Sequence, residues 1–520
     1  MNGAESLLRT FAEAGVELCF ANPGTTELPL VAAFDAVPTL RPVPALFEGV
    51  CSGAADGYAR IARRPALTLL HHGAGLGNAL ANLHNARRAR SPLINLVGDH
   101  APAHAAAGPP LATDVEGLAR PMSGWLRTAA SSSSLAADGA QALLAARSPP
   151  GQVATLVIPG SCAWGAARGP AVVGQPPAAA AVDPAMITAI AAVLRRKRPA
   201  ALLLDTAGLE PPGLAAAGRI SVLTGAALLC PTFPARLARG AGRLLVERLP
   251  YLSQAARARL GGLEHLILAG SEPPVAFFTD PGDAGRHSRG ALLPARCALH
   301  SLAASGADVV GTLEALAEAL GARTPAQPVA AAEVAPPSGR LRAAAIGAAV
   351  ASTLPAGAIV VDESGTAGPA LWAATARAPA HDWLCLTGGA LGQGLPLAVG
   401  AALAAPHRRV LCLLADGAAA YTPQALWTLA HEQLDVTVVV LANRAYRLLQ
   451  RELQRLGLPE GAASRALLEQ TRPSVDWCRL AASMGVAARC VATAEALVEQ
   501  LRRDLCARGP CCIEARFKDP

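Results

Sequence analysis

The chain has 520 residues, too many for one hydrophobic core, so its length predicts about two to four domains. Hydrophobic residues make up 52% of it and charged residues 16%, which excludes disorder over most of its length. The formal net charge of +7 comes from scattered arginines without interleaved aromatic residues, so we expect no nucleic-acid partner.

The N-terminus and the cysteines indicate the compartment. Residues 1–15 carry Glu5 early and are typical of an amphipathic helix, which is not the pattern of a signal peptide. None of the 12 cysteines forms a Cys-x-x-Cys pair, and several lie inside apolar runs, as expected for reduced, buried thiols. No apolar run reaches the length of a membrane span. We therefore expect a cytoplasmic protein without a membrane partner.

Short β-branched or leucine-rich runs recur along the chain, and each is followed by a helix-like stretch. This alternation predicts an α/β fold with three doubly wound parallel-sheet domains. Two Pro/Ala-rich stretches without hydrophobic periodicity, residues 167–183 and 323–339, are predicted linkers. The predicted domains are residues 1–166, 184–322 and 340–520. Ligands of such sheets bind beyond the carboxyl ends of the strands, so the residues there are the candidates for function.

The first domain places several polar residues at element ends. Glu48 is the one charge between an apolar start and Asp56 in ALFEGVCSGAADGYAR, residues 45–60, and a glutamate there also suits a plain helix-dipole partner. His71 and His72 end a strand-like run, immediately before a Gly-rich turn, and imidazoles are suited to proton transfer. A purely structural His72 is an equal alternative. Asp99-His100 ends another strand, and its role stays open.

The middle domain contains LILAGSEPPVAFFTDPG, residues 266–282, with a strand end at Gly270 and the pair Phe277-Phe278. It has no Gly-x-Gly-x-x-Gly fingerprint and no acidic partner at the expected distance. We therefore predict a structural domain, with a bound flavin or nucleotide as the disfavoured alternative.

The third domain shows the sharpest pattern, in LCLLADGAAAYTP, residues 411–423. This strand-like run ends on Asp416 and Gly417, and the next such run, VTVVVLAN, ends on Asn443. Neighbouring parallel strands would bring the two ends within about 5 Å, where their side-chain oxygens could bind one Mg²⁺. Gly417 would let the backbone approach a phosphate. Taken singly, Asp416-Gly417 also suits an ordinary turn, and Asn443 a helix cap.

Together these residues resemble the motif of thiamine diphosphate enzymes, in which Gly-Asp-Gly is followed by Asn-Asn. The resemblance implies that Mg²⁺ is bound by Asp416, by the Asn443 side chain and by the Ala445 carbonyl. It implies that the cofactor is also bound by Gly417, Ala418 and Tyr446. Two departures are visible, since Ala415 replaces the first Gly and Ala442 the first Asn. Neither removes a metal ligand.

The first domain carries a second resemblance. Glu48-Gly49 with Ala-Asp-Gly-Tyr-Ala-Arg (55–60), FANPGTTELPL (20–30) and residues 71–99 are similar to benzoylformate decarboxylase and acetolactate synthase. The resemblance implies that Glu48 hydrogen-bonds the pyrimidine N1′ of a cofactor held by another copy of the chain. A homodimer is then the minimum assembly, and a tetramer is expected.

The same resemblance extends to residues 387–396. It implies that the Gly389 carbonyl accepts from the cofactor's 4′-amino group and that Leu391 lies beneath the cofactor. Plain core packing is the alternative for Leu391.

The resemblance also implies the reaction, in which a 2-oxo acid is decarboxylated through a C2 carbanion and enamine, as in benzoylformate decarboxylase. His71 aligns with a pocket histidine of that enzyme and Thr25 with its serine hydroxyl, so both are candidate substrate contacts, and His71 and His72 are candidate proton carriers beside Glu48.

Three alternatives remain. One is an acetolactate synthase-type condensation with a second 2-oxo acid or an aldehyde acceptor, although typical acetolactate synthases have a larger, FAD-binding middle domain and a different sequence at Asp99-His100. The second is a flavin- or nicotinamide-binding oxidoreductase. The third is a non-catalytic relative that acts as a binding or regulatory subunit.

Overall fold

The computed structural model describes residues 1–278 and 292–518. Three mostly parallel sheets of six, five and seven strands follow one another along the chain, which confirms the predicted α/β fold class. The last four residues of the 266–282 segment lie outside the described residues. Of the helices in the described ranges, none is both long enough and apolar enough to cross a membrane.

The first sheet has the strand order β2-β1-β3-β4-β6-β5, and all its pairings are parallel. Its strands are β1 Leu18–Asn22, β2 Arg41–Pro44, β3 Ala66–His71, β4 Leu93–Asp99, β5 Trp125–Thr128 and β6 Val153–Pro159. Its helices are α1 Gly3–Glu13, α2 Leu28–Ala33, α3 Glu48–Ala62, α4 His72–Ala89, α5 Pro102–Ala105, α6 Val115–Ala119, α7 Ser132–Arg147 and α8 Gly160–Trp164.

The middle of the chain builds a five-stranded sheet in the order β10-β8-β7-β11-β12. The strands in this part of the chain are β7 Ala200–Leu204, β8 Ala227–Cys230, β9 Leu237–Arg239, β10 Glu247–Arg248, β11 His265–Ala269 and β12 Ala298–Ala303. The helices are α9 Pro184–Arg195, α10 Pro211–Thr224, α11 Ser253–Leu260 and α12 Val309–Leu320.

The third sheet has the order β17-β18-β16-β15-β13-β14-β9, in which β9 joins from the middle of the chain and pairs antiparallel with β14. Its other strands are β13 Ile359–Glu363, β14 His381–Cys385, β15 Val410–Ala415, β16 Val436–Ala442, β17 Ala487–Val491 and β18 Cys511–Arg516. Its helices are α13 Ala343–Thr353, α14 Gly368–Ala374, α15 Gly394–Ala404, α16 Asp416–Ala419, α17 Ala425–His431, α18 Arg447–Arg455, α19 Ala462–Leu468, α20 Trp477–Ser483 and α21 Ala494–Asp504.

Helices α3 and α15 fix the first sheet against the third, because they cross with their backbones almost in contact. A Cβ atom on Gly57 would lie 2.1 Å from the Leu397 carbonyl oxygen, and one on Gly400 would lie 1.8 Å from that of Ala54. Only glycine allows so close a crossing, and the glycines of the Ala-Asp-Gly-Tyr-Ala-Arg segment and of α15 therefore set the distance between the two layers.

A buried ion pair reinforces this crossing. The Asp56 carboxylate accepts two hydrogen bonds from Arg60, at 2.8 and 2.6 Å, and a third from Gln393 Nε2 at 2.6 Å. Arg60 also donates to the Cys385 carbonyl and to Thr387 Oγ1, both at 2.8 Å. Both charges are paired and hydrogen-bonded, as buried charges must be, so this pair ties α3 to the third sheet.

Candidate active site

Asp416 and Asn443 end neighbouring strands. Strands β15 and β16 pair in parallel, with Ala415 opposite Leu441, so the two strand ends emerge side by side. Asp416 is 4% exposed. Its Oδ2 accepts from the Arg444 backbone N–H at 2.6 Å, a contact that joins the two strand ends directly. The structure therefore brings these two predicted ligands to one place.

The donor atoms at these strand ends are all oxygens. Asp416 Oδ1 accepts from the Gly417 N–H at 3.0 Å, and Asn443 Oδ1 accepts from the Ala445 N–H at 3.0 Å. The Ala445 carbonyl accepts from the Arg447 N–H at 2.9 Å. Each of these oxygens keeps a further lone pair, and hard oxygen donors are the ligands Mg²⁺ prefers. Burial raises the pKa of Asp416 above its ordinary value, and its backbone hydrogen bonds partly oppose the rise.

The backbone beside Asp416 is closely covered. A Cβ atom on Gly417 would lie 2.8 Å from Tyr446 Cε1, so the Tyr446 ring packs over this glycine. Ala418 follows in the same buried turn. Arg444 has a φ of 58°, the left-handed region, and this turn carries the chain from the Asn443 strand end toward α18. The predicted cofactor-binding residues of this segment therefore cluster around the two strand ends.

The loop that carries Gly389 and Leu391 lies at the start of α15. Gly389 has a φ of 77°, which glycine adopts without strain, and it is exposed. Leu391 is 38% exposed. The core-packing alternative for Leu391 is therefore wrong within this chain, because a core leucine would be shielded from solvent on all sides.

The Glu363 carboxylate, at the end of β13, fixes this loop through two backbone hydrogen bonds. Its Oε1 accepts from the Gly392 N–H and its Oε2 from the Gly394 N–H, both at 2.7 Å. Burial raises the pKa of Glu363 to about 7, against the lowering effect of these hydrogen bonds. Glu363 was not among the predicted site residues, although it ends a strand-like run just as Asp416 does.

Two asparagines of α4, in the first domain, also hydrogen-bond this loop. Asn85 Nδ2 donates to the Ala390 carbonyl at 2.8 Å, and Asn82 Nδ2 donates to the carbonyls of Gly49 and Gly392 at 2.8 and 3.3 Å. Asn82 thus links the start of α3, next to Glu48, with the loop that carries Gly389 and Leu391.

Glu48 begins α3 and is 8% exposed. Its Oε2 accepts from Asn78 Nδ2 at 2.9 Å. A Cβ atom on Gly75 would lie 2.9 Å from Glu48 Oε1, so this glycine makes room for the carboxylate. The residue is therefore a buried carboxylate with an amide partner rather than a solvated helix-dipole charge.

His71 is paired with a carboxylate that was not among the predicted site residues. Its Nδ1 lies 2.7 Å from Oε2 of Glu27, a fully buried residue that also accepts from the Gly24 N–H at 2.8 Å. The His71 side chain is 24% exposed, and the exposed Thr25 follows Gly24. The signal was present in the segment FANPGTTELPL, where Glu27 is the one carboxylate after a strand end.

His72 is buried, at 1% exposure, and faces a different set of partners. Its Nε2 lies 2.6 Å from Thr26 Oγ1, its Nδ1 lies 3.5 Å from Asp99 Oδ1, and its ring centroid lies 4.3 Å from that of His100. Burial and the neighbouring His72 and His104 lower the pKa of His100. The strand ends of β3 and β4 therefore bring His71, His72, Asp99 and His100 together.

Phe277 of the middle segment packs among other aromatic side chains. Phe277 packs against Phe233 and Tyr251, with ring centroids 5.4 and 5.0 Å apart. Phe277 and Phe278 line a cleft of about 210 Å³ whose other wall includes Glu452 of α18. The cleft therefore lies between α11 of the middle domain and α18.

Two family models match the chain. Residues 1–116 match the model described as "Thiamine pyrophosphate enzyme, N-terminal TPP binding domain". Residues 363–515 match "Thiamine pyrophosphate enzyme, C-terminal TPP binding domain". The first match contains Glu48 and the His71-His72 pair, and the second contains Asp416 and Asn443.

Named proteins match over nearly the whole length of the chain. A Mycobacterium tuberculosis protein, whose name assigns it to the acetolactate synthase large subunits, is 48% identical over 99% of this chain and 98% of its own. Benzoylformate decarboxylase of Pseudomonas aeruginosa is 31% identical over 96% of each chain. Among solved structures, a thiamine diphosphate-dependent 4-hydroxybenzoylformate decarboxylase of Rhodococcus jostii superposes with a TM-score of 0.87 at 26% identity over the full length of both chains.

Proposed function

Because this chain belongs to the thiamine pyrophosphate-dependent enzymes, related to benzoylformate decarboxylase and acetolactate synthase, we propose that it decarboxylates a 2-oxo acid with thiamine diphosphate and Mg²⁺. Thiamine diphosphate supplies the nucleophilic carbon that attacks the keto group and the electron sink that lets CO₂ leave. What the chain supplies is the anchorage of the cofactor, the carboxylate that tunes it and the groups that move protons.

The anchorage fits the strand ends of β15 and β16. Asp416, the Asn443 side chain and the Ala445 carbonyl present oxygens to one ion, and Gly417 leaves the adjoining backbone without a side chain. This donor set suits Mg²⁺ with its remaining positions taken by phosphate oxygens and water. The single observation that carries the proposal is this meeting of a buried Asp and an Asn at two adjacent parallel strand ends.

We assign Glu48 to the cofactor of a second copy of the chain. A buried carboxylate with one amide partner favours sharing a proton with a ring nitrogen, which is the role implied for this residue. Large apolar side chains also lie exposed around the third-sheet strand ends, where a second copy would cover them, and these are Leu391, Tyr421, Leu448 and Leu449. A homodimer is thus the smallest complete unit in this proposal.

On the substrate side we assign proton transfer to His71. With Nδ1 held by Glu27, the other ring nitrogen, Nε2, is the one left to meet the substrate. The exposed Thr25, in the turn that follows β1, is a candidate hydrogen-bond donor to the substrate. His72 is enclosed, so we assign it to supporting His71 and not to direct contact. The buried free thiols of the core, such as Cys412, suit a reducing cytoplasm.

A screen of aromatic and aliphatic 2-oxo acids for CO₂ release tests this proposal. We expect release that requires both thiamine diphosphate and Mg²⁺, with an aldehyde as the product. Absence of release from every acid, with cofactor bound, would contradict it. The 48% identical relative favours one second candidate, condensation of two 2-oxo acids, and an added acceptor that yields a coupled product at the expense of aldehyde would select it.

A further inference from the structure

Glu27, His71 and His72 form a compact cluster at the ends of β1 and β3, referred to here as the first-sheet triad. One ligand atom from each residue lies within 4.8 Å of the other two. Glu27 is fully buried and His72 is 1% exposed, while the His71 side chain keeps 24% exposure. The triad therefore has one open side.

Two buried atoms of the triad have no hydrogen-bond partner among the residues that the structure describes. They are Glu27 Oε1 and His72 Nδ1. The other atom of each group is held, because Glu27 Oε2 accepts from the Gly24 N–H at 2.8 Å and His72 Nε2 lies 2.6 Å from Thr26 Oγ1. An unpartnered buried carboxylate oxygen and an unpartnered buried imidazole nitrogen in one cluster each cost stability unless something binds them.

We propose that the triad is a second metal site, which takes one divalent ion of the Zn²⁺ type through a Glu27 oxygen and one nitrogen of each histidine. Zinc lies about 2.0–2.2 Å from oxygen and nitrogen ligands, so modest side-chain rotation would close the triad on it. With the ion on His72 Nδ1, Nε2–H donates to Thr26 and fixes the tautomer, as partners of ligating histidines do. Asp99 Oδ1, 3.5 Å from Nδ1, is placed as an outer partner.

The two metal sites would select different ions. The Asp416 site offers oxygens alone, which suit a hard cation, whereas two imidazoles and a carboxylate suit zinc and its neighbours. If the proposed function holds, an ion bound at the triad would regulate the enzyme. An ion on His71 Nδ1, the nitrogen that faces Glu27, would leave a fixed proton on Nε2. Nε2 could then no longer accept a proton, so turnover would stop while the diphosphate site stayed intact.

Cobalt(II) is the probe that tests the triad without relying on activity. The full chain, loaded with thiamine diphosphate and excess Mg²⁺, would be titrated with Co²⁺ and followed by visible absorption and calorimetry. We expect one Co²⁺ per chain with the intense visible bands of a four-coordinate ion. Glu27→Gln, which keeps the side-chain shape, and His72→Ala should each weaken this binding about tenfold or more.

Asp416→Ala is the matched control, because it removes the other site and should leave these bands unchanged. The proposal is overturned if no such bands form, if Glu27→Gln and His72→Ala leave them unaltered, or if a near-ultraviolet thiolate transition assigns the ion to cysteine. The two proposals fail separately. Turnover is therefore measured before Co²⁺ is added: bands in a protein that had no turnover without Co²⁺ would keep the metal site and reject the decarboxylase, and turnover without Co²⁺ followed by no bands would do the reverse.

Discussion

The strand ends of the third sheet and those of the first sheet are built differently. At the third, the oxygens of Asp416 and Asn443 are held mainly by backbone N–H groups. At the first, side chains hold one another, as in the Glu27–His71 and Thr26–His72 pairs. Backbone donors fix a ligand in one place, which suits an ion that does not move. Linked side chains pass a change of protonation from one to the next, which suits proton transfer.

Asp416→Ala should show the largest effect of any single change, because it removes the one carboxylate among the three proposed metal ligands. We expect thiamine diphosphate affinity to fall by more than about a hundredfold, since even outer partners of metal ligands cost 10- to 100-fold. Calorimetry with and without Mg²⁺ measures it. Asp435→Asn, at the opposite end of β16 and paired with Arg508, is the control and should bind cofactor normally.

Glu48→Gln should separate cofactor binding, which depends on the third-sheet strand ends, from turnover, which also depends on the first domain. It leaves the third-sheet strand ends untouched, so we expect cofactor affinity to stay within a few-fold while turnover falls by about 10²–10⁴, the usual contribution of a positioned acid–base group. Asn78→Ala removes the partner of Glu48 but keeps the carboxylate, and should lose far less. Steady-state rates measure the loss of turnover, and cofactor titrations of the same variants measure the affinity. An active Glu48→Gln enzyme would refute the assignment.

The sequence predicted the third-sheet site better than the first, for a physical reason. Two neighbouring parallel strands that end in polar residues must bring those residues together, so Asp416 and Asn443 could be paired from topology alone. His71 ends β3, a parallel neighbour of β1, but Glu27 lies beyond the end of β1 in the short helical turn Thr25–Glu27. Their 2.7 Å contact therefore depends on the conformation of that turn and on side-chain packing, which no periodicity encodes. Glu363 followed the same strand-end rule as Asp416 and was predictable, but only the structure shows that it holds the Leu391 loop.

Glu363→Gln tests how far the loop over the third-sheet site depends on its carboxylate. Burial raises the pKa of Glu363 from 4.5 to about 7, so between these values the folded protein keeps a proton that the unfolded chain has released. The free energy of unfolding should then fall as pH rises through this window, by up to about 1.4 kcal/mol per pH unit. Above the window this group should cause no further change with pH.

Glutamine carries no such proton, so denaturant unfolding of Glu363→Gln across pH 4.5–7 should lack this part of the slope. Glu318→Gln, on the exposed side of α12, is the control and should keep it. Equal slopes in wild type and Glu363→Gln would show that this carboxyl does not titrate as described.

Ala415→Gly should have the smallest effect. Ala415 has a φ of −67° and a ψ of 144°, an ordinary extended backbone that does not require glycine. We expect cofactor affinity to change by less than about threefold and stability to fall by roughly 0.5–1 kcal/mol from the added chain entropy. A large gain in affinity would mean that this departure from the Gly-Asp-Gly motif restricts the phosphate approach.

Mixing two inactive variants tests most directly whether one cofactor site is shared between two copies. Glu48→Gln and Asp416→Ala chains would be unfolded together and refolded, or co-expressed, and the turnover compared with that of each variant alone. A mixed dimer has one site with both defects and one site with neither, so random pairing should restore about a quarter of wild-type turnover. Mixed dimers that form but stay inactive would show that each site is built within a single chain, against this account.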